Sequence, residues 1–284
     1  MNYGTNGGSL YATYDTSHAT CAEDYCVFGE DPYGNEFCCE TAPGSLTAME
    51  FFGGPGTDVI QLHYPYTTLD DYGVGGQGFF VTVHGLLDDD AISGSTSTTS
   101  SYHETLYGDG ADDLILGYSE FGTIYGGAGN DELSGTGSFS GTIYGEEDDD
   151  IIDCGSAGCD EYGGPGKDIL SGGSGEDQLY GGPGNDVLFG SLGVDVLYGE
   201  SGDDDLHGGD DLDELWGGAD DDNLCGDDGD GDLLNGQAGD DLLYDGVADT
   251  LLGGPDADTC WDVDTTRSSC TLTSMSYPCM NTPR

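Results

Sequence analysis

Between residues 108 and 261 a branched apolar side chain returns at steps of about nine, with residues of other character around it. One series reads Ile115, Leu133, Ile152, Leu170, Leu188, Leu206, Leu224 and Leu243; a second, offset by about nine, reads Leu179, Leu197, Leu215 and Leu234. A single apolar residue flanked by outward-facing neighbours fits a very short strand whose middle residue points inward. Gly, Asp and Ser fill the intervals and mark turns. Such a turn-and-strand unit buries nothing until copies stack on it, so the pattern predicts an all-β solenoid.

The cleanest units fill residues 163–189: GGPGKDILS, GGSGEDQLY, GGPGNDVLF. Numbering each unit 1 to 9, Gly stands at places 1, 2 and 4, Asp at place 6 and the apolar residue at place 8. Four segments follow from the register: a non-repeating stretch 1–43, irregular coils 44–107, the regular array 108–261 and a C-terminal stretch 262–284. In the irregular part GSLTAMEFF puts Phe51 at place 8, GGPGTDVIQ supplies Asp58 and Ile60, and GLLDDDAIS supplies Asp90 and Ile92. Residues 62–84 depart from the period as a loop or a wider coil, and a Ser/Thr-rich surface loop is expected from Gly94 to about His103.

These consecutive units resemble the hemolysin-type, or RTX, calcium-binding repeat. The resemblance implies a right-handed parallel β-roll in which two units make one coil, so alternate units share an edge. The first edge then carries Asp113, Asp131, Asp150, Asp168, Asp186, Asp204, Asp222, Asp241 and Asp258. On the second, Gly122, Gly141 and Cys159 stand where Asp belongs, before Asp177, Asp195, Asp213 and Asp232 appear. One calcium row along the whole array and another in its C-terminal half are expected, with Asp58 and Asp90 as earlier ligands. Calcium takes six to eight hard oxygens, and turn glycines let backbone carbonyls join carboxylates around it. Metal binding and folding are then one event.

Charge agrees with this. The chain of 284 residues has 57 acids against 3 bases, a formal charge of -54. Acids in register with glycine and leucine point to cation binding rather than disorder, and about a dozen ions would cancel roughly 24 charges. Lys167, Arg267 and Arg284 offer almost nothing to phosphate, which makes nucleic acid and bare anionic membrane poor partners, and no nucleic-acid partner is expected. No apolar run is long enough to span a bilayer. No signal peptide is visible after Met1, so a mature form of a secreted protein is expected.

Ten cysteines favour disulfides and an extracellular or cell-surface location. Cys21, Cys26, Cys38 and Cys39 suggest a disulfide-held N-terminal cap, with a metal site as the alternative. Cys260 and Cys270 suggest a C-terminal cap, and Cys154–Cys159 a disulfide closing a turn that has no aspartate at place 6. Glu161 falls at the inward place of that same unit. The run Asp228, Asp230, Asp232 starts like an EF-hand but lacks its sixth-place Gly and twelfth-place Glu.

No enzyme is expected. His103-Glu104 lacks the second His of a zinc-protease helix, and Gly173-Ser174-Gly175 belongs to a repeat, not to a nucleophile elbow. The resemblance places catalytic or pore-forming activity in a separate domain. Place 3 (Pro165, Ser174, Pro183, Leu192) carries no regular Thr row of the kind an ice-binding face needs. At place 9 of the second edge Tyr125, Tyr144, Tyr162, Tyr180, Tyr198 and Trp216 form an outward ladder, either a sheet-stacking device or a contact strip. Two main roles stay open: a calcium-folded structural subunit assembling into a homo-oligomer, fibre or surface layer, or a monomeric module binding a glycan or cell-surface protein; the RTX part of a toxin or secreted hydrolase is a third, weaker option.

Overall fold

A computed structural model describes residues 79–94, 102–229, 231–245 and 250–262, together with short strands at 2–6, 9–13, 28–30, 36–38, 48–52, 59–61 and 271–272. The chain divides into two compact units, Met1–Glu147 and Asp148–Arg284. Each is a parallel β-solenoid with two sheets, and no helix occurs among the described residues. None is therefore long and apolar enough to cross a membrane.

In the first unit, one sheet stacks Ser9–Thr13, Ala48–Phe52, Phe79–His84, Tyr102–Gly110, Thr123–Ala128 and Thr142–Glu147, each parallel to the next. The other stacks Val59–Gln61, Ala91–Ser93, Leu114–Gly117 and Glu132–Gly135. Antiparallel strands lie on the N-terminal side: Asn2–Asn6 on Ser9–Thr13, and Phe28–Glu30 between Glu36–Cys38 and Val59–Gln61. They pair the edge that the first parallel strand would otherwise leave open, which is what a solenoid cap must do. The side chains of Cys21, Cys26, Cys38 and Cys39 lie outside the described residues, so the expected disulfides of this cap do too. Residues 62–78, expected as part of a loop or a wider coil, lie outside the described residues. Phe79–His84 is a full strand in register with Tyr102–Tyr107. Val81, Val83 and Leu106 thereby join the core, although the nine-residue period does not reach them.

In the second unit, Asp160–Tyr162, Gln178–Pro183, Val196–Ser201, Glu214–Ala219, Leu233–Ala238 and Thr250–Leu252 form one sheet. Ile151–Asp153, Ile169–Ser171, Val187–Leu192, Asp205–Asp210, Asn223–Asp227, Leu242–Asp245, Thr259–Asp262 and Thr271–Leu272 form the other. The place-8 residues stand directly above one another: Ile152, Leu170, Leu188, Leu206, Leu224, Leu243 and Cys260 in one sheet, with Leu179, Leu197, Leu215, Leu234 and Leu251 facing them. All are sealed from solvent. The unit that begins at Asp245 lacks place-6 Asp yet still delivers Leu251 to its column. The core is one side chain deep per strand, so the turns must supply the rest of the cohesion.

Place 9 faces outward and its rings stack. In the first unit His84, Tyr107, Tyr125 and Tyr144 follow one another with centroids 4.5, 4.7 and 4.9 Å apart. In the second, Tyr162–Tyr180 and Tyr180–Tyr198 are 4.7 and 4.9 Å apart, and Tyr198–Trp216 is 6.4 Å. The tyrosine planes are within 9° of parallel, so each ring covers the face of its neighbour.

Candidate metal sites along the two edges

Among the described residues the place-6 aspartates stand just before the strands, and most turn their carboxylates in beneath the glycine at place 1 of their own unit. That glycine is there for space: a Cβ built on Gly208 would lie 2.6 Å from Asp213 Oδ2 and 3.0 Å from the carbonyl oxygen of Gly226 in the next coil. Gly181 repeats this with Asp186 Oδ2 at 2.5 Å and the Gly199 carbonyl at 3.0 Å. The missing side chain thus leaves a gap toward which a carboxylate oxygen and a carbonyl oxygen from successive coils converge. Places 2 and 4 often take positive φ, and where glycine is absent there the residue can be acidic, as at Glu146, Glu200, Asp211 and Asp220.

The other carboxylate oxygen is used between coils. In the first unit Asp113 Oδ1 accepts the Asp90 N–H at 2.7 Å and Asp131 Oδ1 accepts the Asp113 N–H at 2.8 Å. In the second unit the first-edge chain runs through Asp150, Asp168, Asp186, Asp204, Asp222, Asp241 and Asp258, with bonds of 2.8 to 3.2 Å. The second edge does the same from Cys159 N–H through Asp177, Asp195, Asp213 and Asp232, at 2.7 to 2.9 Å. Only Asp58 among the expected ligands lies outside the described residues.

What remains is a row of oxygens with nothing to bond. Oδ2 of Asp113, Asp168, Asp177, Asp186, Asp195, Asp204, Asp213, Asp222 and Asp241 is buried and has no hydrogen-bond partner. Burial, ahead of repulsion between stacked carboxylates, lifts these groups: Asp113, Asp168, Asp177, Asp204 and Asp213 to about 7, and Asp222 to about 8. Asp186, Asp195 and Asp241 rise to about 6, again chiefly through burial. A buried, unpaired carboxylate oxygen is costly, and a hard divalent cation set among such oxygens removes that cost. The donor set, carboxylate and carbonyl oxygen, is that of a calcium site.

The family model of the RTX calcium-binding nonapeptide repeat (4 copies) matches residues 107–138, 162–197 and 198–233. The chain carries RTX repeats. These repeats bind calcium, several ions to an array. No curated protein matches the chain.

Three features of the RTX edges were not visible in the repeat pattern. A second row of carboxylate and amide side chains stands at place 5 of the first edge and bonds the opposite way: Asp149 Oδ1 accepts from Lys167 N–H at 2.9 Å and Asp221 Oδ1 from Asp240 N–H at 2.8 Å. The recurrence of Asp or Asn at place 5 was the available signal. Next, where the second edge lacks aspartate in the first unit, Phe139 fills the gap, its ring 2.7 Å from where a Cβ on Gly122 would be. Finally, Glu104 lies in register with Gly122, buried, and accepts N–H bonds from Tyr118 and Ser119 at 2.8 and 3.0 Å. An RTX turn is closed there by a ring and a satisfied carboxylate.

The Cys154–Cys159 disulfide is present. It closes an RTX turn within the roll, as the sequence leads one to expect. Its place follows from the turn: Cys154 takes place 1, where a Cβ points at the place-6 side chain, and place 6 is Cys159. Cys225 and Cys260 are also disulfide-bonded; Cys270, the expected mate of Cys260, lies outside the described residues. Asp230 of the acidic run is outside them as well, while Asp232 is an ordinary place-6 aspartate whose Oδ1 accepts the Asp213 N–H.

Proposed function

We propose that this is an extracellular structural protein whose coils are locked by calcium, with Asp90, Asp113, Asp131, Asp150, Asp168, Asp186, Asp204, Asp222, Asp241 and Asp258 as ligands on one edge. Asp177, Asp195, Asp213 and Asp232 serve the other. The observation that carries this is the row of buried Oδ2 atoms without partners, nearly all converging with a glycine carbonyl of the next coil. The bound ion supplies positive charge that hard oxygens can share. The chain supplies the rest: place-1 glycines leave the space, place-6 carboxylates bring charge, and Oδ1 bonds hold each carboxylate at its coil boundary. Extracellular calcium and an oxidising medium suit both the acid rows and the Cys154–Cys159 bond.

The aromatic ladder supports a structural role over sugar recognition. A sugar stacks on an open ring face, and these faces are covered by the neighbouring rings, leaving edges and hydroxyls. Those edges suit lateral packing against another protein surface, including a second copy. Light scattering on a sizing column, in calcium and then in chelator, tests the reading. A compact particle in calcium that expands in chelator is expected, and particles of several chains formed only in calcium would support assembly. Unchanged size and mass would refute calcium-coupled folding.

A further inference from the structure

The coil that breaks the calcium pattern contains a different set of donors. Cys154 Sγ, Cys159 Sγ and an Asp177 carboxylate oxygen lie within 4.8 Å of one another, and all three residues are buried. Glu161 adds a fourth, with Oε1 3.9 Å from Cys159 Sγ. Its position is unusual: it stands in register with Leu179 in the inward column, fully buried. Burial, then the charge of Asp177, pushes its carboxyl well up. Backbone bonds with Cys154 and Ser171 offset part of this, but Oε2 has no hydrogen-bond partner. Nor has Oδ2 of Asp177, whose Oδ1 already accepts the Cys159 N–H. A carboxylic acid in an apolar column costs stability unless something uses it.

We propose that Cys154, Cys159, Glu161 and Asp177 form a redox-gated site for a borderline divalent cation such as zinc, closed in the disulfide form and opened by reduction. Two sulfurs and one carboxylate oxygen are clustered here, and Glu161 beside Cys159 can bring a fourth donor; sulfur with oxygen is a set of the kind zinc takes, and one that calcium, which prefers oxygen alone, does not. The exchange balances: a dithiol reductant gives two electrons and two protons to the S–S bond, becoming a disulfide itself and leaving two thiols. The metal then displaces both thiol protons, together with any proton held by Glu161. Because Asp177 also heads the second-edge row, the ion would sit at the boundary of the calcium coils and cap them by a different chemistry.

The test uses the full chain, reduced with a dithiol, stripped with chelator and titrated with cobalt(II) as a spectroscopic substitute for zinc. Expected are the sulfur-to-cobalt charge-transfer bands and visible bands of a tetrahedral site, absent from the oxidised protein and diminished in C154S/C159S. Glu161→Gln should weaken cobalt binding about tenfold or more while still allowing the disulfide to re-form. Since reduced cysteines elsewhere could bind cobalt, peptide-mapped alkylation supplies a site-specific readout that needs no variant. Zinc should protect Cys154 and Cys159 of the reduced wild-type chain from iodoacetamide. Equal alkylation with and without zinc, the same cobalt spectrum in C154S/C159S, or unchanged affinity in Glu161→Gln would each overturn the proposal.

Discussion

Asp204 and Asp205 are adjacent acids with opposite surroundings, and replacing each by Asn separates ligand from bystander. Asp204 is 2% exposed. Its Oδ1 accepts the Asp186 N–H at 2.8 Å, its own N–H donates to Asp222 Oδ1 at 3.0 Å, and its Oδ2 has no partner. Asn at 204 keeps the Oδ1 acceptor and removes only the charged oxygen that an ion would use. At a calcium concentration a hundredfold above the dissociation constant, each bound ion adds about 2.7 kcal/mol to folding. Asp204→Asn should therefore cost about 3 kcal/mol if one ion is lost, and roughly twice that if it serves the ions on both sides. Asp205 instead faces outward, accepting from Asn223 Nδ2 at 2.8 Å and lying 3.5 Å from His207 Nε2. Asp205→Asn should cost no more than about 1 kcal/mol. Urea unfolding followed by circular dichroism, in excess calcium, measures both. In chelator at pH 6 the loss at 204 should disappear and even reverse, because burial raises the Asp204 carboxyl from 3.8 to about 7, so folding must take up a proton that Asn does not need. Equal losses at 204 and 205 in calcium would refute place 6 as the ligand. A loss at 204 of the same size with and without calcium would make its role structural.

Three further outcomes are expected. Without calcium, carboxyls raised from 3.8 to about 6–8 in the folded roll favour folding fully below pH 4, and that contribution is lost as pH rises through 6 to 8; a pH titration of the chelated protein by circular dichroism should show acid-induced folding, and a flat profile would contradict it. His207 is pushed up to about 9: burial opposes its charge, but bonds to Asp205 and Asp227 outweigh burial. Its contribution is complete below about 6.5 and disappears as pH rises through 9, so thermal melts in calcium should fall between pH 8 and 10 in wild type and less in His207→Gln. Gly182→Ala, at φ 111° with the Gly164 carbonyl 2.5 Å from the added Cβ, should lower stability by more than about 1 kcal/mol; an unchanged urea midpoint would mean that the turn relaxes freely.

Much of this structure could be read before any coordinates because a solenoid repeats one local solution. Leu170, Leu188 and Leu206 meet because they are in register, and the register is written in the sequence. The same holds for the place-6 row. What escaped was set by three-dimensional exceptions. Phe139 reaches the second edge from inside a ten-residue unit, and Glu104 takes a place-6 position from a strand that precedes the regular array. Val81 and Val83 follow a stretch of sequence whose length hides the period. The unpartnered state of Oδ2 was also invisible, since spacing tells which acids stack but not which oxygen the backbone has claimed. Cys154 and Cys159 were legible for the converse reason, as both lie on the two places that the turn brings together.

The eighteen-residue spacing of the Oδ1 bonds, as between Asp186 and Asp204, has a consequence for how such a chain can change in length. Loss or duplication of one such block returns every downstream residue to the same edge and column, so a recombination event of that size is nearly silent. An event of nine residues is not, because it exchanges the two edges for everything that follows. Aspartates, cysteines and the tyrosine ladder would all arrive on the wrong side. Natural variants of this gene are expected to differ by whole coils, and a shortened version for laboratory use should be cut in the same steps.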